Sequence, residues 1–240
     1  MATALGAFTI VDDVDDPASG SDNMARDAAM LDAVRSGGTP TLRLYRWARP
    51  TLTLGRFQDD AQVDVDACTR HGVAVVRRPT GGKALLHGAD LTYAVAMREP
   101  GGPASTVDGV YRLLARPLID GLRALGVTAT VARHDGPAGP VCFATQQGAD
   151  LRVGDRKVCG SAQVRHDGVV LQHGSILLRR LAFDETDLVH GDLDRAQLRA
   201  ATVTLEELGA TSDPRTVANA LTEAFAGTGS AGRARSVRDW

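Results

Sequence analysis

The sequence reads as an α/β chain. Its middle is rich in strand-like runs, and two stretches, 22–34 and 105–125, carry apolar residues at helical spacing. A third feature organises the rest. From Arg77 to Tyr93, RRPTGGKALLHGADLTY links three strand-like runs, and a basic, glycine-bearing break separates the first two.

Composition narrows the function classes. The chain has 240 residues, enough for one large domain or two small ones, and 43% of them are hydrophobic, enough for a substantial core. A net charge of −2 argues against a general nucleic-acid binder, which carries a basic excess. No segment approaches the roughly 18 apolar residues of a membrane span, and the N-terminus lacks a basic run followed by an apolar one, so no secretory signal is read. Cys68, Cys142 and Cys159 are odd in number and lack metal-ligand spacing. Reduced thiols in a cytoplasmic protein, with no metal site, are the simplest account.

The elements follow in order. Phe8 to Val11 reads as a strand ended by the acidic stretch 12–16. Ser21 or Asp22 caps a helix to Val34 that packs Met24, Ala28 and Leu31 on a sheet; Gly37 and Gly38 end it. Strands follow around 42–46 and at Thr51 to Leu54, then a loop at 55–58. Asp64 to His71 reads as a helix with Cys68 as a small buried hydrophobe. Strands at 73–76, 84–86 and 91–97 come next, then a helix capped by Ser105 or Thr106 and kinked at Pro117, where a backbone bond is lost at roughly 3 kcal/mol. A strand at 127–131 precedes a long Gly- and Pro-rich loop, 133–148, of a length that usually serves function or is disordered. Hairpins join 151–153 to 157–164 through Gly154-Asp155, and then to 169–178 through His166-Asp167-Gly168. Thr204 to Glu207 has the capping-box pattern. Asp213-Pro214 starts a helix to Phe225. One catalytic domain is expected over 1–226, with 227–240 as a mobile tail.

The central break has chemistry of its own. Gly81 and Gly82 allow positive φ and close backbone approach to a ligand. Arg77, Arg78 and Lys83 supply charge and donors. A strand, a Gly-Gly turn and a second strand make a cradle for an anionic or amide-bearing ligand, or simply a hairpin with solvated arginines. It is not a P-loop, since Ala84 follows Lys83, and no G-x-G-x-x-G is present.

Arg77-Arg78-x-Thr80-Gly81-Gly82, then His87, then Leu91-Thr92-Tyr93, resembles the core motif of the biotin/lipoate protein ligase superfamily. Gly154 to Gln163 (GDRKVCGSAQ) and Leu171 to Leu178 (LQHGSILL) resemble the lipoate and octanoate attachment enzymes of that superfamily. Upstream, Trp47, Leu52 to Gly55 and Phe57-Gln58 agree, so the likeness runs from about Ser21 to about Leu178. It implies a mixed, largely antiparallel sheet flanked by helices. Cys142-Phe143, shortly before Lys157, is similar to the pair in the cysteine-dependent octanoyltransferases. The resemblance therefore implies Cys142 as nucleophile and Lys157 as the group holding the acyl carbonyl. Arg77, Thr80, Gly81, Gly82, Lys83, His87, Gly160, Ser161, Ala162, His173 and Gly174 are implied as substrate-binding. Each histidine reads equally well as structural. Lys83 departs from the pattern, which commonly has a third glycine there.

The implied reaction moves an octanoyl (or lipoyl) group from acyl carrier protein to a lysine of a lipoyl domain. The acceptor would be the glycine cleavage H protein or a 2-oxoacid dehydrogenase E2. No cofactor, nucleic acid or membrane is involved. One rival is an ATP-dependent lipoate–protein ligase, using ATP and Mg through a lipoyl-adenylate. The other is a non-catalytic subunit that binds a lipoyl domain. Two geometric expectations follow. Arg77, Gly81, Gly82, His87 and Lys157 should line one pocket, and Leu54, Val76, Leu86 and Leu171 should wall a slot for the acyl chain.

Overall fold

A computed structural model describes residues 5–132, 150–191 and 194–228. Among them, seven strands form one sheet: β1 (Thr9–Ala18), β2 (Thr41–Trp47), β6 (Asp90–Arg98), β10 (Val169–Leu177), β9 (Arg156–His166), β8 (Leu151–Val153) and β7 (Thr130–Val131), in that spatial order. Only the β1–β2 pair is parallel; the other neighbours are antiparallel. A three-stranded sheet places β3 (Thr51–Leu54) between β4 (Ala74–Arg77), parallel, and β5 (Leu85–His87), antiparallel. This is the mixed, largely antiparallel α/β architecture that the resemblance implied.

Both faces of the large sheet are covered, which is why β6 reads as a continuous apolar run. Leu91, Tyr93, Val95 and Met97 pack with α3 (Val107–Ala124) and α5 (Pro214–Gly227). Ala94 and Ala96 share a core with Met24 and Val34 of α1 (Gly20–Arg35). The small sheet packs with α2 (Val65–Arg70) and Leu198 of α4 (Arg195–Ala201). The capping expectations at 106, 204–207 and 213 match real bonds: Thr106 and Asp213 cap α3 and α5, and Thr204 and Glu207 exchange reciprocal bonds. The Asp167-Gly168 turn has positive φ at both residues, the conformation that two-residue hairpins favour.

Several local expectations need correction. β1 does not stop at the acidic stretch but runs to Ala18, because arginines neutralise it: Arg26 and Arg43 pair with Asp13, and Arg215 pairs with Asp12 and Asp15. α1 starts at Gly20, capped by Ser19. Its buried positions are Gly20, Asn23, Met24, Asp27 and Val34, so the inward face is partly polar rather than a Met24-Ala28-Leu31 stripe. α3 runs through Pro117 as one element. The strand expected at 127–131 shrinks to Thr130–Val131. Gly227 closes α5 and Thr228 caps it, so the expected tail begins in helix; 229–240 lie outside the described residues.

Candidate active site

The Gly-Gly turn is built around Arg78. Its guanidinium donates to the carbonyls of Gly81 (2.9 Å), Lys83 (2.7 Å) and Thr53 (3.1 Å) and to the Thr53 hydroxyl (3.1 Å). Gly82 sits at φ +92°, and a Cβ there would lie 2.7 Å from Arg78 Nη2. Gly55 packs directly on the Gly82 carbonyl, leaving no room for a side chain. Gly81 differs: a Cβ there would meet nothing within 4 Å. Arg77 turns the other way. It donates to the carbonyls of Gly55 (2.6 Å) and Gln58 (2.8 Å) and pairs with Asp60, so it fastens the 55–60 loop.

Beside the turn lies a cavity open to solvent, about 360 Å³ with its mouth included. Met24, Trp47, Leu85 and Ala162 give it apolar walls; Arg78, His87, Ser161 and His173 are among its polar ones. Gly160 and Gly174 also line it. Gly174 has a packing reason to be glycine, since a Cβ would lie 2.5 Å from both the Gly160 carbonyl and the Tyr93 ring. His87 is stacked on Trp47 with ring centroids 4.1 Å apart. Its Nδ1 is 2.7 Å from Asp90 and its Nε2 3.2 Å from the Thr53 hydroxyl. His173 bonds Asp27 (3.0 Å) through Nδ1 and the Thr80 hydroxyl (2.7 Å) through Nε2. All four ring nitrogens are therefore engaged within the protein.

The electrostatics follow from burial and pairing. Burial lowers the His173 pKa, although Asp27 pulls the other way, so the ring is held toward neutral. Burial would raise Asp90, but His87 and hydrogen bonds from Gly88 and Ser175 outweigh it and leave the carboxyl below its usual range. Lys157 is buried, with Nζ 2.8 Å from Asp150. It does not line the cavity, although Gly160, Ser161 and Ala162 on the same strand do.

Of the expected substrate-binding residues, His87, Gly160, Ser161, Ala162, His173 and Gly174 come together around the cavity. Thr80, Gly81, Gly82 and Lys83 form the adjoining turn, and Arg77 points away from it. Of the five residues of the expected shared pocket, His87 alone lines this cavity; Gly81 and Gly82 stand in the adjoining turn, and Arg77 and Lys157 fall away from it. The expected slot walls also change. Leu54, Val76 and Leu171 are not among the cavity residues, and Leu86 faces a second cavity with Leu177, Phe183 and Glu185. Cys142 lies outside the described residues. Cys68 and Cys159 are buried, and burial pushes the Cys68 thiol up.

A family model, the lipoyl protein ligase A/B catalytic domain, matches residues 19–226. The chain belongs to that family. Among relatives of the lipoyl ligase family, Octanoyltransferase LipM of Symbiobacterium thermophilum is 45% identical over 172 residues, covering 66% of this chain and 61% of its own. The protein of the same name from Geobacillus kaustophilus is 44% identical over 169 residues, with 65% and 60% covered. The chain spans about three-fifths of the length of these curated relatives. A solved lipoate-protein ligase A bound with ATP superimposes with a TM-score of 0.76 at 24% identity, covering 93% of this chain and 85% of that one. Ta0514 of T. acidophilum with bound lipoic acid gives 0.74 at 23%, with the same coverage. Both establish the lipoyl ligase catalytic fold.

Sequence reasoning missed Asp27, Asp90 and the centrality of Arg78. Asp27 carried a signal: it falls three residues after Met24 and four before Leu31, a charge on an apolar stripe. Among the described residues, no group of three or more His, Cys, Asp or Glu is arranged to hold a metal ion, and no helix is long and apolar enough to cross a membrane.

Proposed function

We propose that the chain is an octanoyltransferase. It accepts an octanoyl (or lipoyl) group from an acyl carrier protein thioester and delivers it to a lysine of a lipoyl domain, such as the glycine cleavage H protein or a 2-oxoacid dehydrogenase E2. The observation that carries this reading is the run of relatives named octanoyltransferase, 40–45% identical over about two-thirds of this chain. The cysteine thiolate of Cys142 would attack the donor carbonyl, expelling the carrier thiolate. The acceptor amine would then attack the acyl-cysteine, expelling the Cys142 thiolate and losing a proton. Transfer from sulfur to sulfur is nearly isoenergetic, and the final amide formation is downhill, so no ATP is needed. Lys157, paired with Asp150, would stabilise the oxyanion at each step.

The cavity supports the same reading. Met24, Trp47 and Leu85 would cover the alkyl chain, at about 0.8 kcal/mol per buried methylene. Trp47 is fixed for that task, because its indole N–H donates to Thr92 (2.8 Å) and its ring stacks on His87. The catalytic domain would span 1–226, and the protein would work in the cytoplasm without a cofactor. The test is to mix the protein with octanoyl carrier protein and a lipoyl domain, without ATP. An octanoylated lipoyl domain is expected. Modification only with free lipoate, ATP and Mg would point instead to a ligase. No modification under either condition would point to a binding subunit.

A further inference from the structure

We propose that Asp27 is a positioning residue for the Gly81–Gly82 turn and acts on it through His173 and Thr80. The proposal rests on the reading of that turn as the acyl cradle. Asp27 is fully buried on the face of α1 that packs on the large sheet. One carboxylate oxygen accepts from Arg43 (2.9 Å); the other accepts from the Tyr45 hydroxyl (2.9 Å) and His173 Nδ1 (3.0 Å). Arg43 is itself fixed by the Asn23 side chain (2.7 Å) and Asp13 (2.7 Å). The carboxylate is thus held by β2 and β10, and its partner Arg43 is held in turn by α1 and β1.

A carboxylate can only accept, so Nδ1 of His173 carries the proton and Nε2 is left as an acceptor. The Thr80 hydroxyl, 2.7 Å away, supplies a proton to it. The groups facing His173 are Asp27, Arg78 and His87, with Arg43 and Tyr45 behind Asp27. Thr80 is also held through its backbone, since its carbonyl accepts from the Arg56 N–H (2.8 Å). The next residue, Gly81, opens onto free space. The relay therefore fixes the orientation of the peptide that leads into the turn. A buried ionic cluster is a poor device for stability alone, because apolar replacements of similar volume are often as stable. A positional duty explains why one sits here. It also makes His173 a neutral spacer rather than an acid or base.

Side-chain 15N NMR of the full chain, without substrate, reads the relay independently of any activity. The neutral Nδ1–H tautomer of His173 is expected across neutral pH, and Asp27→Asn should abolish it by presenting an amide N–H to the ring. Thr80→Val keeps the shape and removes the hydroxyl. It should speed amide exchange at Gly81 and Gly82 and lower kcat/KM for octanoyl carrier protein roughly 10- to 100-fold. His173→Ala should do the same. His173→Gln should recover most of that loss, since its amide can donate to Asp27 and accept from Thr80. Either an imidazolium or an Nε2–H tautomer in the native protein would overturn the proposal. So would Thr80→Val with native turn exchange, or His173→Gln as impaired as His173→Ala. If Asp27→Asn fails to fold, the Thr80 and His173 variants decide the matter. If octanoyl transfer itself is absent, the tautomer and exchange readouts still stand.

Discussion

Cys142 is where the transferase and ligase mechanisms part. Cys142→Ala should abolish transfer from the carrier thioester, and Cys142→Ser should fail too, because a serine hydroxyl is far less ionised at neutral pH. Full activity of Cys142→Ala with free lipoate and ATP would favour the ligase. Lys157 needs a more careful test. Lys157→Ala should cost roughly 10²–10³-fold in kcat, but it also removes a buried ion pair with Asp150 and should lower the melting temperature. The double variant Lys157→Met, Asp150→Asn should recover much of the melting temperature and none of the rate. Recovery of both would remove Lys157 from the chemistry. The sequence places Arg77 in the pocket and leaves Arg78 as a neighbouring charge. Neighbouring strand residues face opposite ways, and which one faces in depends on a register that one sequence does not reveal. Arg78 went in and Arg77 went to the 55–60 loop.

Among the elements, the two turn glycines make separate predictions. Gly81→Val enters open space at an ordinary φ, so it should leave the melting temperature near native and weaken binding of an octanoyl analogue. Gly82→Val adds a strained φ and pushes on Arg78, so it should lower both. Native affinity in both variants would count against a backbone cradle. The 3-10 turn Glu185–Asp187 carries a pH signal. Burial raises the Glu185 pKa to about 7, although its carboxylate accepts the Leu86 N–H of β5. The folded state then holds the proton more tightly than the unfolded chain. That contribution is complete at pH below the ordinary glutamate range and is lost as pH rises toward and past 7, on the order of 3 kcal/mol in all. Glu185→Gln should flatten the fall in urea midpoint between acidic and mildly alkaline buffer; an unchanged fall would exclude this carboxyl. Such elements were legible where the signal was local, as in the caps of α3 and α5 and the Asp167-Gly168 hairpin. α1 was misread because its inward face carries Asn23 and Asp27, whose partners on β2 and β10 are far away in sequence.

At the scale of the whole molecule, the adjacency of β8, β9 and β10 could be read, since hairpins join them. The parallel β1–β2 pair and the insertion of β6 between β2 and β10 could not, because those contacts close long loops that leave no local mark. The cavity between the two sequence blocks exists only because of that topology. The apolar walls at Met24, Trp47 and Leu85 should select acyl length, so rates with donors of four, eight and twelve carbons should peak at eight; flat rates would contradict a fitted cavity. The central claim is covalent transfer through Cys142. It is tested most directly by the intact mass of the protein after exposure to octanoyl carrier protein without ATP. The account predicts a gain of one octanoyl group that is absent in Cys142→Ala and is lost again when a lipoyl domain is added. An unchanged mass in the native protein, with the lipoyl domain still octanoylated, would contradict it.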